Sequence, residues 1–335
     1  FIVISKFFGI KIIMKCDYAK INSKLGEIMM EQSEITLTVI KSMFSNDEII
    51  NQLTLKGGNA LQILDEGSRY TTDIDFSIPE ILDEDKFSNI FKMSLESGFA
   101  EQNYKVFDYH FVHTPHGKNF IISDTRSGDD ILWGGYRITF FIIDIKKYEE
   151  IIDNADFSQQ AKDTKIRNIA EKIDYKNGST KIIIDISAGE FTEPRSMKII
   201  DGYSIYIYTT IMIVYEKARA SAQQLPEYEH AKEKTRARDL YDILKLLQNH
   251  PDLTSQVLDP NNIYILCKMF KLKDVDLSLL NLIRDYEDNL RRDYEDKVLP
   301  QLDPSDIVGF DFLFSTIIDL FEKMYTVARK AEDII

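Results

Sequence analysis

Asp73 and Asp75 stand two residues apart in the run Thr72-Asp73-Ile74-Asp75-Phe76. In an extended strand, side chains at i and i+2 point to the same face, so both carboxylates address one site. Just upstream, Lys56-Gly57-Gly58-Asn59-Ala60-Leu61 reads as a strand that ends in a Gly-Gly turn and opens a short helix. Glycines let backbone approach a phosphate closely, and the first turn of a helix offers unpaired N–H groups to an anion. Hard divalent cations take oxygen ligands, and magnesium carried on a triphosphate needs only one or two protein carboxylates. A phosphate cradle next to a carboxylate pair is equipment for metal-assisted transfer of a nucleotidyl group. Each half alone is common, since Gly-Gly makes many turns and Asp-x-Asp on a strand edge is often a solvated pair. The two in this order carry more weight than either.

The order resembles the polymerase-beta-like nucleotidyltransferase superfamily, in which a Gly-Gly or Gly-Ser turn precedes a short helix and Asp-x-Asp. Lys56-Gly57-Gly58-Asn59-Ala60-Leu61 followed by Arg69-Tyr70-Thr71-Thr72-Asp73-Ile74-Asp75 is more narrowly similar to the AbiEii/AbiGii toxin family. Its members are the toxin halves of bacterial toxin–antitoxin and abortive-infection systems. A second likeness lies downstream. Tyr215-Glu216-Lys217-Ala218-Arg219-Ala220 resembles the family's Glu-Lys-x-x-Ala helix, and Arg236-Ala237-Arg238-Asp239-Leu240-Tyr241-Asp242-Ile243 its Arg-Asp-x-Tyr-Asp-Leu element. One departure is Asn59, where the family commonly has Thr; an amide still donates a hydrogen bond to phosphate. The likeness covers motifs within about residues 53–78 and 181–249, and beyond about 260 only helical character is recognisable.

The resemblance implies an NTP substrate, two magnesium ions and release of pyrophosphate. It implies metal ligation by Asp73, Asp75 and a third carboxylate on a neighbouring strand. Asp185 is the best candidate, late on the apolar strand Lys181–Ser187, where a lone carboxylate is costly to bury unless paired or metal-bound. A strand-end Asp that caps the next turn is the plainer alternative, and Asp144, beside Lys146-Lys147, is the competitor. By the same likeness Lys217 contacts the triphosphate and Asp239 completes the site from a helical domain. Nucleotide binding then falls to Lys56, Gly57, Gly58, Asn59, Arg69 and Lys217. An ammonium on a flexible stem suits phosphate. Asp239 taken alone has a plainer role, stabilising the start of an apolar-periodic helix. Lys232, Lys234, Arg236 and Arg238, with Lys217 and Arg219, form a basic cluster suited to a triphosphate or an RNA end, or else a solvated face diluted by Glu229 and Glu233.

Around these residues the chain predicts alternating elements. Helices are expected over about 20–44, 60–65 and 83–95, and strands over 53–56, 74–78, 104–113, 118–123, 136–145 and 181–187. Ser45-Asn46-Asp47-Glu48 has the form of a cap that starts a short helix. Residues 146–178 are polar with helical patches, and from Ser204 helices are expected at 205–224, 235–249, 261–270, 275–298 and 304–332. The fold class is therefore α+β: a polymerase-beta-like nucleotidyltransferase domain with a mixed, twisted sheet, then a C-terminal helical domain. The expected divisions are residues 1–30 as an N-terminal extension, 31–203 as the transferase domain and 204–335 as the helical domain.

Composition narrows the partners. The 335 residues are 44% apolar, enough for a sizeable core and two domains. A net charge of −14 argues against sequence-independent binding to duplex DNA, which phosphate attraction dominates, but leaves room for a local basic groove for one RNA end. Two distant cysteines, Cys16 and Cys267, form no disulfide framework or zinc spacing, as in a reducing cytoplasm. His110, His113 and His116 lie at spacing three, which on a strand puts the first two on opposite faces rather than in a metal cluster. No run of about 18 apolar residues suggests a membrane span. Phe1–Ile13 precedes Met14-Lys15, which has the form of an ordinary start, so this stretch is expected to come from an upstream start or a fragment boundary and is given no function. The expectation is thus a cytoplasmic, metal-dependent nucleotidyltransferase toxin with a cognate antitoxin, and the resemblance points to a tRNA 3′ end as acceptor. Transfer to a protein or an antibiotic-like small molecule stays open, as does a non-catalytic nucleotide-binding role.

Overall fold

The computed structural model describes residues 30–64, 73–114, 121–123, 130–132, 134–173, 178–231 and 234–332. Arg69, Lys232, His116 and the N-terminal stretch 1–13 lie outside them, so the expectations placed on those residues have no structural counterpart here.

The described residues hold nine strands: β1 (Thr54–Lys56), β2 (Ile74–Ser77), β3 (Tyr104–Thr114), β4 (Ile121–Ser123), β5 (Asp130–Leu132), β6 (Gly135–Asp144), β7 (Ile182–Ser187), β8 (Arg195–Ile200) and β9 (Tyr203–Tyr208). Seven build one mixed sheet in the order β3-β6-β7-β2-β1-β9-β8, while β4 and β5 pair apart from it. β2 runs parallel to β7 and β1 parallel to β9; the other pairs in the sheet are antiparallel.

The helices in the first part are α1 (Gln32–Met43), α2 (Asp47–Ile50), α3 (Gly57–Ile63), α4 (Glu84–Ala100), α5 (Ile145–Ile152) and α6 (Gln159–Asn168). α1 packs on α4 and α4 on β3, so this pair covers one face of the sheet. The seam is aromatic: Phe44 meets Phe76 edge-on at 5.8 Å and Phe99 meets Phe140 at 5.8 Å. After the sheet come α7 (Thr210–Ala222), α8 (Ala237–Asn249), α9 (Leu253–Val257), α10 (Pro260–Lys271), α11 (Leu279–Leu282), α12 (Glu287–Asp293) and α13 (Phe310–Glu332). α7 packs against α8 and α10, and α13 closes over α8, α10 and α11.

Strand alternation decides which face carries chemistry. On β2, Ile74 and Phe76 are buried, and on β7, Ile182, Ile184 and Ile186 are buried. Asp75, Ile183, Asp185 and Ser187 therefore face the other side of the sheet.

Several expected boundaries move. Of the helix expected over about 20–44, residues 20–29 lie outside the described residues; α1 begins at Gln32, where Glu31 and Glu34 form a reciprocal capping box, so Met30 and Glu31 are not helical. Residues 205–208 are strand rather than helix: Tyr203-Ser-Ile-Tyr-Ile-Tyr alternates, and its backbone pairs with β1 and β8. The division expected between residues 203 and 204 thus cuts off a strand of the sheet, and helix-only structure starts at Thr210. The helix expected over 275–298 is interrupted by a 3-10 turn at Ile283–Tyr286 and a π turn at Tyr294–Val298. β8 was not anticipated; its pattern is largely exposed, with Ile199 70% accessible at the sheet edge. Asn46 accepts a hydrogen bond from Glu48 N at 2.9 Å and caps α2 as expected.

Candidate active site

Pairing register brings four charged residues into one row. Lys56 on β1 lies opposite Asp75 on β2, Asp75 lies opposite Asp185 on β7, and Asp185 lies opposite Arg137 on β6. Directly opposed residues share a face, so the row reads cation, carboxylate, carboxylate, cation. Arg137 grips Asp185 with two parallel bonds, Nε to Oδ1 at 2.7 Å and Nη2 to Oδ2 at 2.9 Å. The Asp185 hydrogen bond comes first among the influences that raise the Arg137 pKa.

The turn before α3 fits tightly under this row. Gly57 has φ +68°, and a Cβ there would lie 2.8 Å from Asp75 Oδ2. Only glycine meets both demands. Asn59 is buried and turned inward: its Nδ2 donates to the Asp73 carbonyl at 2.6 Å, and its Oδ1 is buried with no hydrogen-bond partner. Asn59 thus fixes the start of β2, where Asp73 is exposed.

Burial pushes the Asp75 carboxyl up to about 6; Lys56 opposes this in part, while Asp185, Asp73 and Glu216 add to it. The charge around Asp75 is under-compensated, as expected where a cation is to bind. The donor set here is hard oxygen throughout, which fits magnesium or a similar ion. Among the described residues no three carboxylates converge into a ready cage, and both Asp185 oxygens are engaged by Arg137. Asp73 and Asp75 suffice as protein ligands if phosphate oxygens complete the shell. Asp144, the competitor for the third carboxylate, accepts from Lys147 N at 3.1 Å and caps α5.

Beneath the row, Lys56 turns inward. Its Nζ donates to Ser187 Oγ at 3.0 Å and lies 3.8 Å from Glu190. Glu190 also receives Arg219 Nη2 at 2.9 Å and lies 3.7 Å from Lys273, whose ammonium donates to the Ala188 carbonyl at 2.5 Å. All four side chains are buried. Burial alone would raise Glu190, but Arg219, Lys273 and Lys56 outweigh it and bring it down to about 2. Burial pulls Lys273 down to about 8, with Glu190 restoring part of the loss.

A second closed cluster sits in the helices. Lys217 on α7 donates to Asp239 Oδ1 at 2.9 Å and Asp242 Oδ2 at 2.8 Å, both on α8, and is only 4% accessible. Arg236 donates to Asp239 Oδ2 at 2.8 Å. Burial opposes the Asp239 charge, yet Lys217 and Arg236 hold it well below the usual carboxylate range. Burial likewise opposes the Lys217 charge, and Asp239 and Asp242 more than restore it. The expectation for Lys217 was contact with the triphosphate; the structure has its ammonium enclosed by two carboxylates. Arg236 is the exposed cation at this corner, and its charge is felt by Asp75. α7 packs against β9 and α8, and the charge of its Glu216 helps to raise Asp75.

The structure therefore brings Asp73, Asp75, Asp185, Lys56 and Gly57 together at one place, with Gly58 and Asn59 adjoining, and joins Lys217 to Asp239 behind them. Sequence reasoning missed Arg137, Glu190 and Lys273 and gave Glu216 no role. Arg137 carried a signal, as the outward Arg of an otherwise apolar strand. Glu190 and Lys273 carried none, since their meeting depends on chain segments far apart. His110 and His113 fall on opposite faces of β3, with His113 against Glu84.

The family model described as "Nucleotidyl transferase AbiEii toxin, Type IV TA system" matches residues 39–304, most of the chain. No curated protein matches. Among solved structures, a putative nucleotidyltransferase from H. pylori aligns over 91% of this chain and 96% of its own at 15% identity, with a TM-score of 0.43. MenT4, a nucleotidyltransferase toxin from Mycobacterium tuberculosis, aligns over 89% of this chain and 84% of its own at 11% identity, with a TM-score of 0.34.

Proposed function

This chain belongs to the AbiEii family of nucleotidyl transferase toxins of type IV toxin–antitoxin systems, and from that premise we propose that it transfers a nucleotidyl group from an NTP to the 3′ end of a tRNA in a metal-dependent reaction. The observation that carries the reading is the row Lys56–Asp75–Asp185–Arg137 with Asp73 beside it. The family implies an NTP substrate and an antitoxin partner. The RNA acceptor is supported by the exposed cations Lys234, Arg236 and Arg238, close together ahead of and on α8 in a chain of net charge −14. The site of action is the cytoplasm; among the described residues no helix is long and apolar enough to cross a membrane.

The chemistry is attack of a 3′ hydroxyl oxygen on the α-phosphorus. The new P–O bond forms as the bond to the β-phosphate bridge breaks, and pyrophosphate leaves with its electron pair. Divalent cations held by Asp73 and Asp75 would supply Lewis-acid polarisation of the phosphate and ease loss of the hydroxyl proton. The protein's own part is positioning and charge. Gly57 and Gly58 let the phosphates come close to backbone N–H groups where β1 ends and α3 begins. Asn59 holds the Asp73 carbonyl, so the two carboxylates keep their spacing. Asp185 is the carboxylate facing the attacking hydroxyl, with its plane fixed by Arg137. Arg236 meets the phosphates from the helical side, and Lys217 acts from behind, locking Asp239 and Asp242 so that Arg236 has a fixed anchor.

The test is incubation of the purified protein with magnesium, each α-labelled NTP in turn and total bacterial RNA, with Asp75→Ala as control. Label in a tRNA-sized band with wild type only is the expected result. Label on protein instead of RNA replaces the acceptor. Bound nucleotide with no labelled product in any fraction overturns the transfer reading.

A further inference from the structure

A cleft of about 520 Å³ opens in the helical part, between the α7–α8 connection on one side and the Ile283–Val298 segment on the other. Its size suits one or two nucleotide units. Four cations line it, Lys234, Arg236, Arg292 and Lys297, against two carboxylates, Asp293 and Asp296. Asp293 is already engaged: its Oδ2 accepts from Ala237 N at 3.0 Å and its Oδ1 from Lys297 at 2.5 Å. The cleft is thus a local excess of positive charge on a strongly acidic chain. Arg236 ties it to the α7–α8 cluster, since the same guanidinium donates to Asp239, which also accepts from Lys217.

We propose that this cleft receives the single-stranded 3′ end of the RNA acceptor and holds its backbone phosphates on Lys234, Arg292 and Lys297, with Arg236 at the entrance to the catalytic row. The assignment rests on the RNA-directed reading above and adds the surface that would deliver the RNA.

The incoming NTP carries its charge on the triphosphate, which belongs beside Asp73 and Asp75. Its base and ribose have no anion for a second group of cations to meet. An RNA strand carries a phosphate at every nucleotide, so cations continuing past Arg236 match a strand that leads to the site. Tyr286 also lines the cleft, half-buried, with its hydroxyl fixed on Glu227 at 2.9 and 3.1 Å. A ring held this way is a platform on which an unpaired base can stack. Gln224 Oε1, also in the wall, is a buried acceptor without a hydrogen-bond partner, suited to a sugar hydroxyl or base amine.

The experiment uses a fluorescein-labelled RNA hairpin with a four-nucleotide single-stranded 3′ extension, and the same hairpin blunt-ended, read by fluorescence anisotropy. Wild type should bind the extended hairpin more tightly than the blunt one. The plot of log affinity against log salt should slope near −2, from three phosphate contacts at about 0.7 each. The double variant Arg292→Gln/Lys297→Gln should bind about tenfold more weakly, with the slope shallower by about 1.4 and nucleotide affinity unchanged. Arg292→Gln alone, at an exposed position, gives the same reading with half the slope change should the double variant melt early. Equal binding of the two hairpins, or an unchanged affinity and slope in the variants, overturns the assignment. So does a loss of nucleotide affinity with RNA binding intact, which would put the NTP base in the cleft. If wild type binds the extended RNA through these cations yet transfers no label to any RNA, the transfer reading falls and the cleft assignment stands. If label reaches RNA and the double variant keeps the wild-type KM for RNA, the cleft assignment falls alone.

Discussion

Two groups of charges adjoin through Lys56 and are built in opposite ways. Beside the row, Glu190 is enclosed by Arg219, Lys273 and Lys56, with its carboxylate held near 2. In the row itself, Asp75 sits among Asp185, Asp73 and Glu216 with its carboxyl raised to about 6. The residue types are the same, and the surroundings differ in how completely each charge is met. A carboxylate surrounded by cations in a dry interior is structural, because any loss of a partner leaves charge stranded. A carboxylate crowded by its own kind is costly in the resting protein and is relieved by an incoming cation. Lys56 serves both, since its ammonium faces Glu190 while its charge also lowers Asp75.

The largest expected effect comes from opening the closed group. Glu190→Gln leaves three buried cations without their anion and should cost about 3–5 kcal/mol of stability, read by urea denaturation of the purified protein. A cost under about 1 kcal/mol would mean the cations find other partners and the contrast drawn here is wrong.

Next comes emptying the open group. Asp75→Asn should lower nucleotide incorporation by about a hundred- to a thousandfold and, in the metal-free protein at pH 7.5 in EDTA, raise stability by about 1–2 kcal/mol. Loss of both activity and stability would recast Asp75 as a structural residue.

The two carboxylates should also respond to pH with opposite signs. Asp75 has a folded pKa above its unfolded value, so its ionisation weakens the fold as pH rises from about 4 through about 6. The advantage of Asp75→Asn over wild type should therefore be absent near pH 4 and fully open above pH 6.5, in EDTA. Glu190 has a folded pKa below its unfolded value, so its contribution is complete above about pH 4.5 and is lost as pH falls toward 2. The deficit of Glu190→Gln should shrink over that acid range. Parallel pH profiles for the two variants would remove the distinction.

The smallest effect is at the rim of the row. Arg137→Gln breaks the bidentate grip on Asp185, yet the two side chains are 45% and 38% accessible, so the stability cost should be about 1 kcal/mol or less. Its activity readout is sharper: turnover should fall while the KM for NTP stays put, because the residue orients Asp185 rather than binding nucleotide.

Much of this was legible in the chain because it rests on local periodicity. Gly57-Gly58, Asp73 and Asp75 are close in sequence, and the strand period of two puts Asp75 and Asp185 on outward faces once Ile74, Phe76, Ile184 and Ile186 are taken inward. The chain did not reveal β9 as a strand, since its apolar-aromatic alternation runs almost directly into α7 and only pairing with β1 and β8 separates the two. Nor did it reveal that Lys217 would be enclosed. A lysine followed by Ala-Arg-Ala reads as an available cation until Asp239 and Asp242 arrive from the next helix.

The sequence by itself determined the family this chain belongs to and the pairing of a Gly-Gly turn with Asp73 and Asp75 two residues apart, because those facts follow from residue identity and short spacing. Tertiary structure alone decided which charges are open and which are closed. Register set Asp75 against Asp185 and Asp185 against Arg137, and folding carried Lys273 to Glu190 across 83 residues, 273 minus 190. The strength of a charge depends on what surrounds it, and in a folded chain the surroundings come from residues that the sequence keeps far apart.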